Sequence, residues 1–297
     1  MKELVQAVET VLDTHRATNK PLAIILAGHN GSGKSTMWRD LLGPKLQIPL
    51  LNADRMMMSI LPEIDRGAAL PGWAQAIRDT DEGWMGVAQR GVQAFVGQAM
   101  SAGVPFAMET VFSHWKKRED GTYESKIDNI RDLQEAGYFV LLFFVGLESR
   151  ELSILRVQTR VAENGHAVKE EKLLSRFSRT QKAIARAKTV ADAGIFTDNS
   201  REPKQAFTVC RVQLRDQIVY DTRSSAGTVP APILRWLDIV APEAAERLRQ
   251  VRASSARAIS ARPEGLWPRV LEDQFDDPVR PARALRNALS GAATRNW

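Results

Sequence analysis

The sequence predicts an α/β protein with a mostly parallel sheet flanked by helices, because short apolar runs alternate with amphipathic helical segments four times. Residues 138–145 are apolar on both faces, as a central parallel strand must be. A glycine-rich turn at 28–35 connects the first apolar run to the start of a helix. The predicted strands of this sheet are residues 22–26, 47–51, 105–108, 138–145 and 193–197.

The glycine-rich turn has the pattern of a phosphate-binding loop (Walker A motif), Gly28-x-x-x-x-Gly33-Lys34-Ser35. Its glycines let backbone N–H groups surround a phosphate at a helix N-terminus, where the helix dipole is positive. Lys34 would reach the β- and γ-phosphates, and the Ser35 hydroxyl would ligate Mg²⁺. A turn that binds nothing is the alternative, and the flanking strand and helix argue against it. The predicted nucleotide-binding residues are Gly28, His29, Asn30, Gly31, Ser32, Gly33, Lys34, Ser35 and Thr36.

The other elements follow from apolar spacing and from glycine and proline breaks. Residues 4–12 predict an N-terminal helix, and the helix after the loop is expected to end at Leu42-Gly43-Pro44. Residues 59–90 favour short helices and loops that cover a substrate, and 88–102 favour a helix. In the second half, the sequence predicts a charged loop or hairpin at 116–124, a helix at 125–136, helices over 149–190 with a break at 164–166, an antiparallel hairpin over 207–220 and a helix within 230–241.

Composition limits the classes of function. The net charge of +6 suits a polyanionic ligand such as a nucleotide. A single cysteine, Cys210, excludes an internal disulfide and a cysteine-rich metal site, and the four histidines lack metal-ligand spacing. The longest apolar run, 139–147, is too short to span a bilayer, and the N-terminus lacks a secretory signal pattern. We therefore expect a cytoplasmic protein without a membrane partner.

Three parts of the chain are expected. Residues 1–20 form a helix packed on the core, 21–241 form the nucleotide-binding domain, and 242–297 form a helical C-terminal appendage rich in arginine and devoid of lysine. The appendage either binds a partner or inhibits the domain, or it covers an exposed sheet edge.

Two carboxylates are placed where predicted strands end. Asp54 follows the second strand, at the sheet edge where parallel α/β proteins bind ligands, and is predicted to be the general base that deprotonates an acceptor hydroxyl. Capping the next helix or holding the water shell of the metal are the alternatives for Asp54. Glu109 and the adjacent Thr110 are predicted to direct a metal or bind substrate, with a helix cap as the alternative for Glu109.

Four arginines complete the set of candidate residues. Arg156 and Arg160 lie four residues apart, and Arg176 and Arg179 lie three apart, so each pair shares a helix face. Two such faces closing over the phosphates would neutralise charge on a transferring phosphoryl group. Solvated surface arginines are the alternative.

Together these motifs resemble the zeta-toxin-like kinases in order and spacing. The resemblance covers residues 20–235 and rests on 27–36, 52–54, 109–114, 156–166, 176–179 and 198–200. It implies a P-loop kinase fold with an arginine-rich helical lid, and ATP- and Mg²⁺-dependent phosphorylation of a hydroxyl. For the toxin members the substrate is UDP-N-acetylglucosamine, phosphorylated on the 3'-hydroxyl of the sugar, and an antitoxin protein is a candidate partner.

By position, the resemblance implies a role for each candidate residue. Lys34 and Ser35 would hold nucleotide and Mg²⁺, and Asp54 would be the base. Glu109 and Thr110 would contact substrate. The lid arginines would be Arg156, Arg160, Arg176 and Arg179.

Two other functions stay open. A kinase for nucleic-acid 5'-hydroxyls would use the basic charge, but the sequence lacks interleaved aromatic and basic residues that stack bases, so nucleic acid is not the expected partner. A regulatory ATP-binding protein would bind nucleotide without transferring phosphate. The presence of the full loop with Asp54 and the arginines argues against it.

Overall fold

The computed structural model describes residues 2–64, 68–121, 123–163, 165, 167–225 and 227–243. Its strands are β1 (Leu22–Gly28), β2 (Leu50–Leu51), β3 (Phe106–Thr110), β4 (Trp115–Lys117), β5 (Tyr123–Ser125), β6 (Phe139–Gly146), β7 (Ala193–Asp198), β8 (Thr208–Leu214) and β9 (Gln217–Asp221). Its α-helices are α1 (Lys2–Arg16), α2 (Lys34–Met37), α3 (Gly43–Leu46), α4 (Ala53–Ser59), α5 (Gly72–Asp79), α6 (Glu82–Ala102), α7 (Lys126–Glu135), α8 (Arg150–Ala162), α9 (Glu170–Ala187) and α10 (Ala231–Val240).

A seven-stranded sheet in the order β2-β3-β1-β6-β7-β8-β9 forms the centre of the molecule. The pairings from β2 to β7 are parallel, and β8 and β9 add an antiparallel edge. The predicted parallel α/β fold is thereby confirmed. Because β1 lies between β3 and β6, the phosphate-binding loop leaves the middle of the sheet.

Helices cover both faces of this sheet, so its central strands are buried on both sides. Alternate residues of β1 belong to different clusters: Ile25 packs with α6, α7, α9 and α10, and Ile24 packs with α1 and the helix that follows the loop. All eight residues of β6 are buried. Each large apolar side chain buried in this way contributes about 1.5–3 kcal/mol to folding.

Two predicted helix boundaries are wrong. The helix after the loop does not end at Leu42-Gly43-Pro44 but continues through a π-helical turn, Trp38–Leu42, into α3. Pro44 is tolerated because it lies in the first turn of α3, where a missing N–H costs little. Helix α6 begins at Glu82 rather than at 88, because Asp81 caps it by accepting hydrogen bonds from the N–H groups of Gly83 and Trp84.

Among the described residues, the other predicted elements match the structure except for β2. In α1 the buried apolar residues are Leu4, Ala7, Val8, Val11 and Leu12, whereas Val5 of the same predicted stripe is exposed. Strands β4 and β5 form the hairpin expected in the charged segment. Cys210 is buried in β8, the first arm of the second hairpin. Strand β2 contains only two of the five residues predicted for it.

Most of the predicted appendage, like Asn164 and His166, lies outside the described residues. The last described residue, Glu243, pairs with Lys188 and Arg211 at 2.8 Å each and fixes this end of the chain to the core. Among the residues that the structure describes, no helix is long and apolar enough to cross a membrane. The division at 20 and 241 stays a prediction.

Candidate active site

A cleft of about 1880 Å³ opens where β1, β2 and β3 end. Three predicted residues, Gly28, His29 and Ser32, are not in its lining; His29 and Ser32 are buried. The other predicted residues line it together: Asn30, Gly31, Gly33, Lys34, Ser35, Thr36, Asp54, Glu109, Thr110, Arg156, Arg160, Arg176 and Arg179.

The phosphate-binding loop depends on its glycines. Gly31 and Gly33 have φ values of +71° and +89°, in the left-handed region that other residues rarely adopt. A Cβ at position 33 would lie 2.6 Å from Nδ2 of Asn199. No side chain caps the N-terminus of α2 at Gly33, so the N–H groups of its first turn can face a phosphate.

Lys34 lies over this loop as a buried cation. Its Nζ donates hydrogen bonds to the carbonyl oxygens of Gly28 at 3.0 Å and His29 at 2.8 Å. Burial lowers the pKa of Lys34, against the opposing charges of Glu109 and Asp54. The two carbonyl oxygens compensate only in part for the lost hydration of this ammonium. A phosphate bound here would give it an anionic partner.

Ser35, Glu109 and Asn52 form a polar cluster beside the loop. The Ser35 hydroxyl donates to Glu109 Oε1 and Oε2 at 2.9 and 3.1 Å, and Asn52 Nδ2 donates to Oε2 at 2.6 Å. The Ser35 hydroxyl and the Glu109 carboxylate are hard oxygen ligands of the kind that fit Mg²⁺, which binds proteins through few carboxylates and completes its shell with phosphates and water. The next described element after Glu109 is strand β4, so the helix-cap alternative for Glu109 is wrong.

Asp54 lies exposed in the first turn of α4 and lines the cleft. The cap of this helix is Asn52, whose side chain accepts from the N–H of Arg55, so the capping alternative for Asp54 is also wrong. The charge of Asp54 opposes the lowering of the pKa of Lys34 and of Arg176 by burial, as expected for a carboxylate that lines the same cleft as both cations.

The four arginines reach the same cleft from α8 and α9. Burial lowers the pKa of Arg156, against the charge of Asp198. Burial, followed by the neighbouring charge of Arg179, lowers the pKa of Arg176. Arg179 is exposed and donates from Nε to the carbonyl of Ser175 at 2.8 Å. Arg156, Arg160 and Arg176 are half-buried and line the cleft, so they are not solvated surface residues, whereas the exposed Arg179 still fits that alternative.

Residues 8–203 match the Zeta toxin family model, which spans more than half of the chain. The chain belongs to the zeta toxin family. The resemblance predicted from the motifs is therefore confirmed. An uncharacterized protein of Haemophilus influenzae is 27% identical over 155 residues, which make up 52% of this chain and 91% of that protein.

Two solved structures are similar to this chain in backbone. One comes from the PezAT chromosomal toxin–antitoxin system of Streptococcus pneumoniae, with 15% identity, a TM-score of 0.44, and coverage of 87% of this chain and 98% of the other. The second is the AvrRxo1-ORF1:AvrRxo1-ORF2 complex crystallised with ATP, with 17% identity, a TM-score of 0.48, and coverage of 86% and 82%.

Sequence reasoning missed three side chains that hold the phosphate-binding loop: Ser153, Phe177 and Asn199. Ser153 of α8 donates to the carbonyl of Asn30 at 2.7 Å, and Asn199 Nδ2 donates to the carbonyl of Ser32 at 2.9 Å. The His29 ring stacks on Phe177 of α9 with centroids 3.9 Å apart. Asn199 and Phe177 had a signal in the sequence, because they lie within the 198–200 and 176–179 motifs, whereas Ser153 had none.

Burial gives His29 a measurable effect on stability. Burial, with a smaller contribution from Lys34, lowers the pKa of His29 to about 3, so the folded state keeps this ring neutral. The unfolded chain binds a proton near pH 6.5, so stability present above that pH is lost as the pH falls toward 3.

We expect His29→Phe, which keeps the stack on Phe177, to reduce the loss of unfolding free energy between pH 7 and pH 5 by about 2 kcal/mol. Urea titrations at both pH values measure this loss for the wild type, for His29→Phe and for the exposed-histidine control His114→Gln. An identical loss in the wild type and His29→Phe would contradict the prediction.

Proposed function

We propose that the chain is an ATP- and Mg²⁺-dependent kinase that transfers the γ-phosphoryl group to a hydroxyl of a UDP-activated amino sugar. The first candidate is the sugar 3'-hydroxyl of UDP-N-acetylglucosamine, by analogy with the toxins that the chain resembles. The observation that carries the proposal is one cleft that joins the Lys34 ammonium, the exposed Asp54 carboxylate and four arginines.

In this mechanism the loop binds the β- and γ-phosphates through its backbone N–H groups and Lys34. Asp54 accepts the proton of the acceptor hydroxyl as that oxygen bonds to the γ-phosphorus. The bond from the γ-phosphorus to the bridging oxygen breaks, and the electron pair leaves with ADP. Lys34 and the arginines balance the charge on the phosphoryl oxygens.

Magnesium would be held by the Ser35 hydroxyl, with Glu109 directing it, and would neutralise charge on the β- and γ-phosphates. Within the described part of the chain no three histidine, cysteine or acidic side chains form a metal site. Phosphate oxygens of the nucleotide and water would complete the ligand shell of a metal that arrives with the nucleotide.

One cation in the cleft, at the start of α7, supports an acidic acceptor. Lys126, at the start of α7, lines the cleft half-buried and makes no hydrogen bond or ion pair with a described residue. Nearby Arg118, by contrast, pairs with Asp128 at 3.3 Å. Burial lowers the pKa of Lys126 because it disfavours the charged ammonium. An anionic group such as a diphosphate would give this ammonium the ion-pair partner that it lacks among the described residues.

Replacing Lys126 with methionine is expected to raise the KM for the UDP-sugar about tenfold and leave the KM for ATP unchanged, because charged hydrogen bonds contribute about 1.5–3 kcal/mol. Steady-state kinetics with each substrate varied in turn measure both values. Lys117→Met, an exposed lysine in β4 outside the cleft lining, is the matched control. An unchanged KM for the acceptor would remove Lys126 from the acceptor site.

Membership of the zeta toxin family supports a further proposal, that the chain is the toxin of a toxin–antitoxin pair. Induced expression is then expected to arrest growth, and Lys34→Ala is expected to abolish the arrest. Arrest that persists in Lys34→Ala would separate toxicity from nucleotide binding.

The acceptor is tested by incubating the purified chain with Mg²⁺-ATP and a panel of UDP-sugars, nucleosides and a 5'-hydroxyl oligonucleotide, followed by mass spectrometry. We expect UDP-N-acetylglucosamine to gain one phosphoryl group, and Lys34→Ala to form none of this product. Transfer only to the oligonucleotide would replace the proposed substrate class. Nucleotide binding without any transfer would support the regulatory alternative.

A further inference from the structure

Helix α8 contacts the phosphate-binding loop directly. Ser153, only 2% exposed, donates its hydroxyl hydrogen bond to the carbonyl oxygen of Asn30 at 2.7 Å. A Cβ added to Gly31 would lie 3.0 Å from the Ser153 carbonyl oxygen and 3.0 Å from Cβ of Arg156. No side chain therefore separates the loop from α8 at this point.

The face of α8 that contacts the loop also carries the arginines. Residues 153, 156, 157 and 160 follow the spacing that brings side chains to one side of a helix, and Val157 is buried on that side. Arg160 lies close enough to Lys34 for its charge to lower the pKa of that lysine. Two helical turns, about 10.5 Å, separate Ser153 from Arg160.

We propose that Ser153 is a positioning residue: its hydrogen bond to Asn30 fixes α8 on the loop and so sets where Arg160 meets the terminal phosphate. The inference rests on the proposed function, because it assumes that Arg160 contacts this phosphate. It also changes the prediction that two arginine faces close over the phosphates, because both helices already contact the loop. Ser153 attaches α8 to the loop, and the stack of Phe177 on His29 attaches α9.

A purely structural role for Ser153 would act through the stability of α8 or through the loop itself. Ser149→Ala tests the first, because the Ser149 side chain caps the same helix by accepting from the N–H of Leu152 and does not bond to the loop. A structural role through the loop would lower the affinity for every nucleotide alike, since the loop also binds ADP. Positioning of Arg160 affects only a nucleotide that carries a terminal phosphate.

The experiment measures the affinities of Mg²⁺-AMP-PNP and Mg²⁺-ADP for the wild type, Ser153→Ala, Arg160→Ala, the double variant and Ser149→Ala. We expect Ser153→Ala to lower the affinity for AMP-PNP about three- to tenfold and the affinity for ADP less than twofold. In the Arg160→Ala background, Ser153→Ala is expected to cause no further loss of affinity for AMP-PNP. If Ser153→Ala does not fold, Ser153→Cys takes its place, because its thiol is a weaker donor of similar size.

Equal losses for both nucleotides, losses equal to those of Ser149→Ala, or full additivity with Arg160→Ala would overturn the inference. The assay uses no acceptor, so its result is independent of the acceptor panel. If Ser153 and Arg160 are coupled in nucleotide binding but no acceptor in the panel is phosphorylated, the positioning role stands and the proposed kinase activity is rejected. If an acceptor is phosphorylated but the two residues are not coupled, the kinase activity stands and the positioning role is rejected.

Discussion

Asp54→Asn is expected to lower kcat for phosphoryl transfer about a thousandfold and to leave the affinity for ATP within about twofold. The amide has the shape of the carboxylate but cannot accept the proton of the acceptor hydroxyl. Asp54 is exposed and is not the cap of α4, so the variant is expected to fold as the wild type does.

Single-turnover kinetics and nucleotide titration separate these two effects of Asp54→Asn. Glu63→Gln is the matched control, because Glu63 is an exposed acid outside the cleft lining. A variant that keeps its kcat and raises only the KM for the acceptor would show that Asp54 binds substrate and is not the base.

Lys34→Ala is expected to impair both nucleotide binding and phosphoryl transfer, whereas Asp54→Asn is expected to impair transfer alone. Nucleotide affinity falls about 10- to 100-fold with the loss of charged hydrogen bonds to the phosphates, and transfer falls further because charge on the γ-phosphoryl group is no longer balanced. The wild-type ammonium is buried and desolvated, so its removal is not expected to lower the unfolding free energy by more than about 1 kcal/mol.

Calorimetric titration with Mg²⁺-ATP and a thermal melt test these expectations for Lys34→Ala. Lys45→Ala, which removes a surface lysine paired with Glu9, is the control for loss of one positive charge. ATP affinity equal to that of the wild type would contradict the placement of the phosphates on this loop.

The sequence predicted the parts of the site that depend on local pattern. The loop at Gly28–Ser35 needs glycines at fixed spacing, and β6 needs residues that are apolar on both faces, so both were visible without a structure. Asp54 was predicted from its position after a strand, although β2 contains only Leu50–Leu51. The order of polar residues along the chain was therefore a better signal than strand length.

Tertiary contacts explain what the sequence did not predict. Ser35 and Glu109 are 74 residues apart, and only folding brings their oxygens within 2.9 Å. Ser153 resembles any serine in an amphipathic helix until α8 packs on the loop. That Lys126 has no partner among the described residues depends on which acids surround it in space. Helix α6 begins six residues before its predicted start because the Asp81 side chain caps it there.

The central claim is that the γ-phosphoryl group passes from ATP to an acceptor hydroxyl within this cleft. Its most direct test counts ADP and phosphorylated UDP-N-acetylglucosamine in the same reaction, with Asp54→Asn measured beside the wild type. We predict one phosphorylated acceptor for each ADP in the wild type and almost none in Asp54→Asn. ADP that accumulates only with inorganic phosphate, or equal transfer by both proteins, would contradict the account.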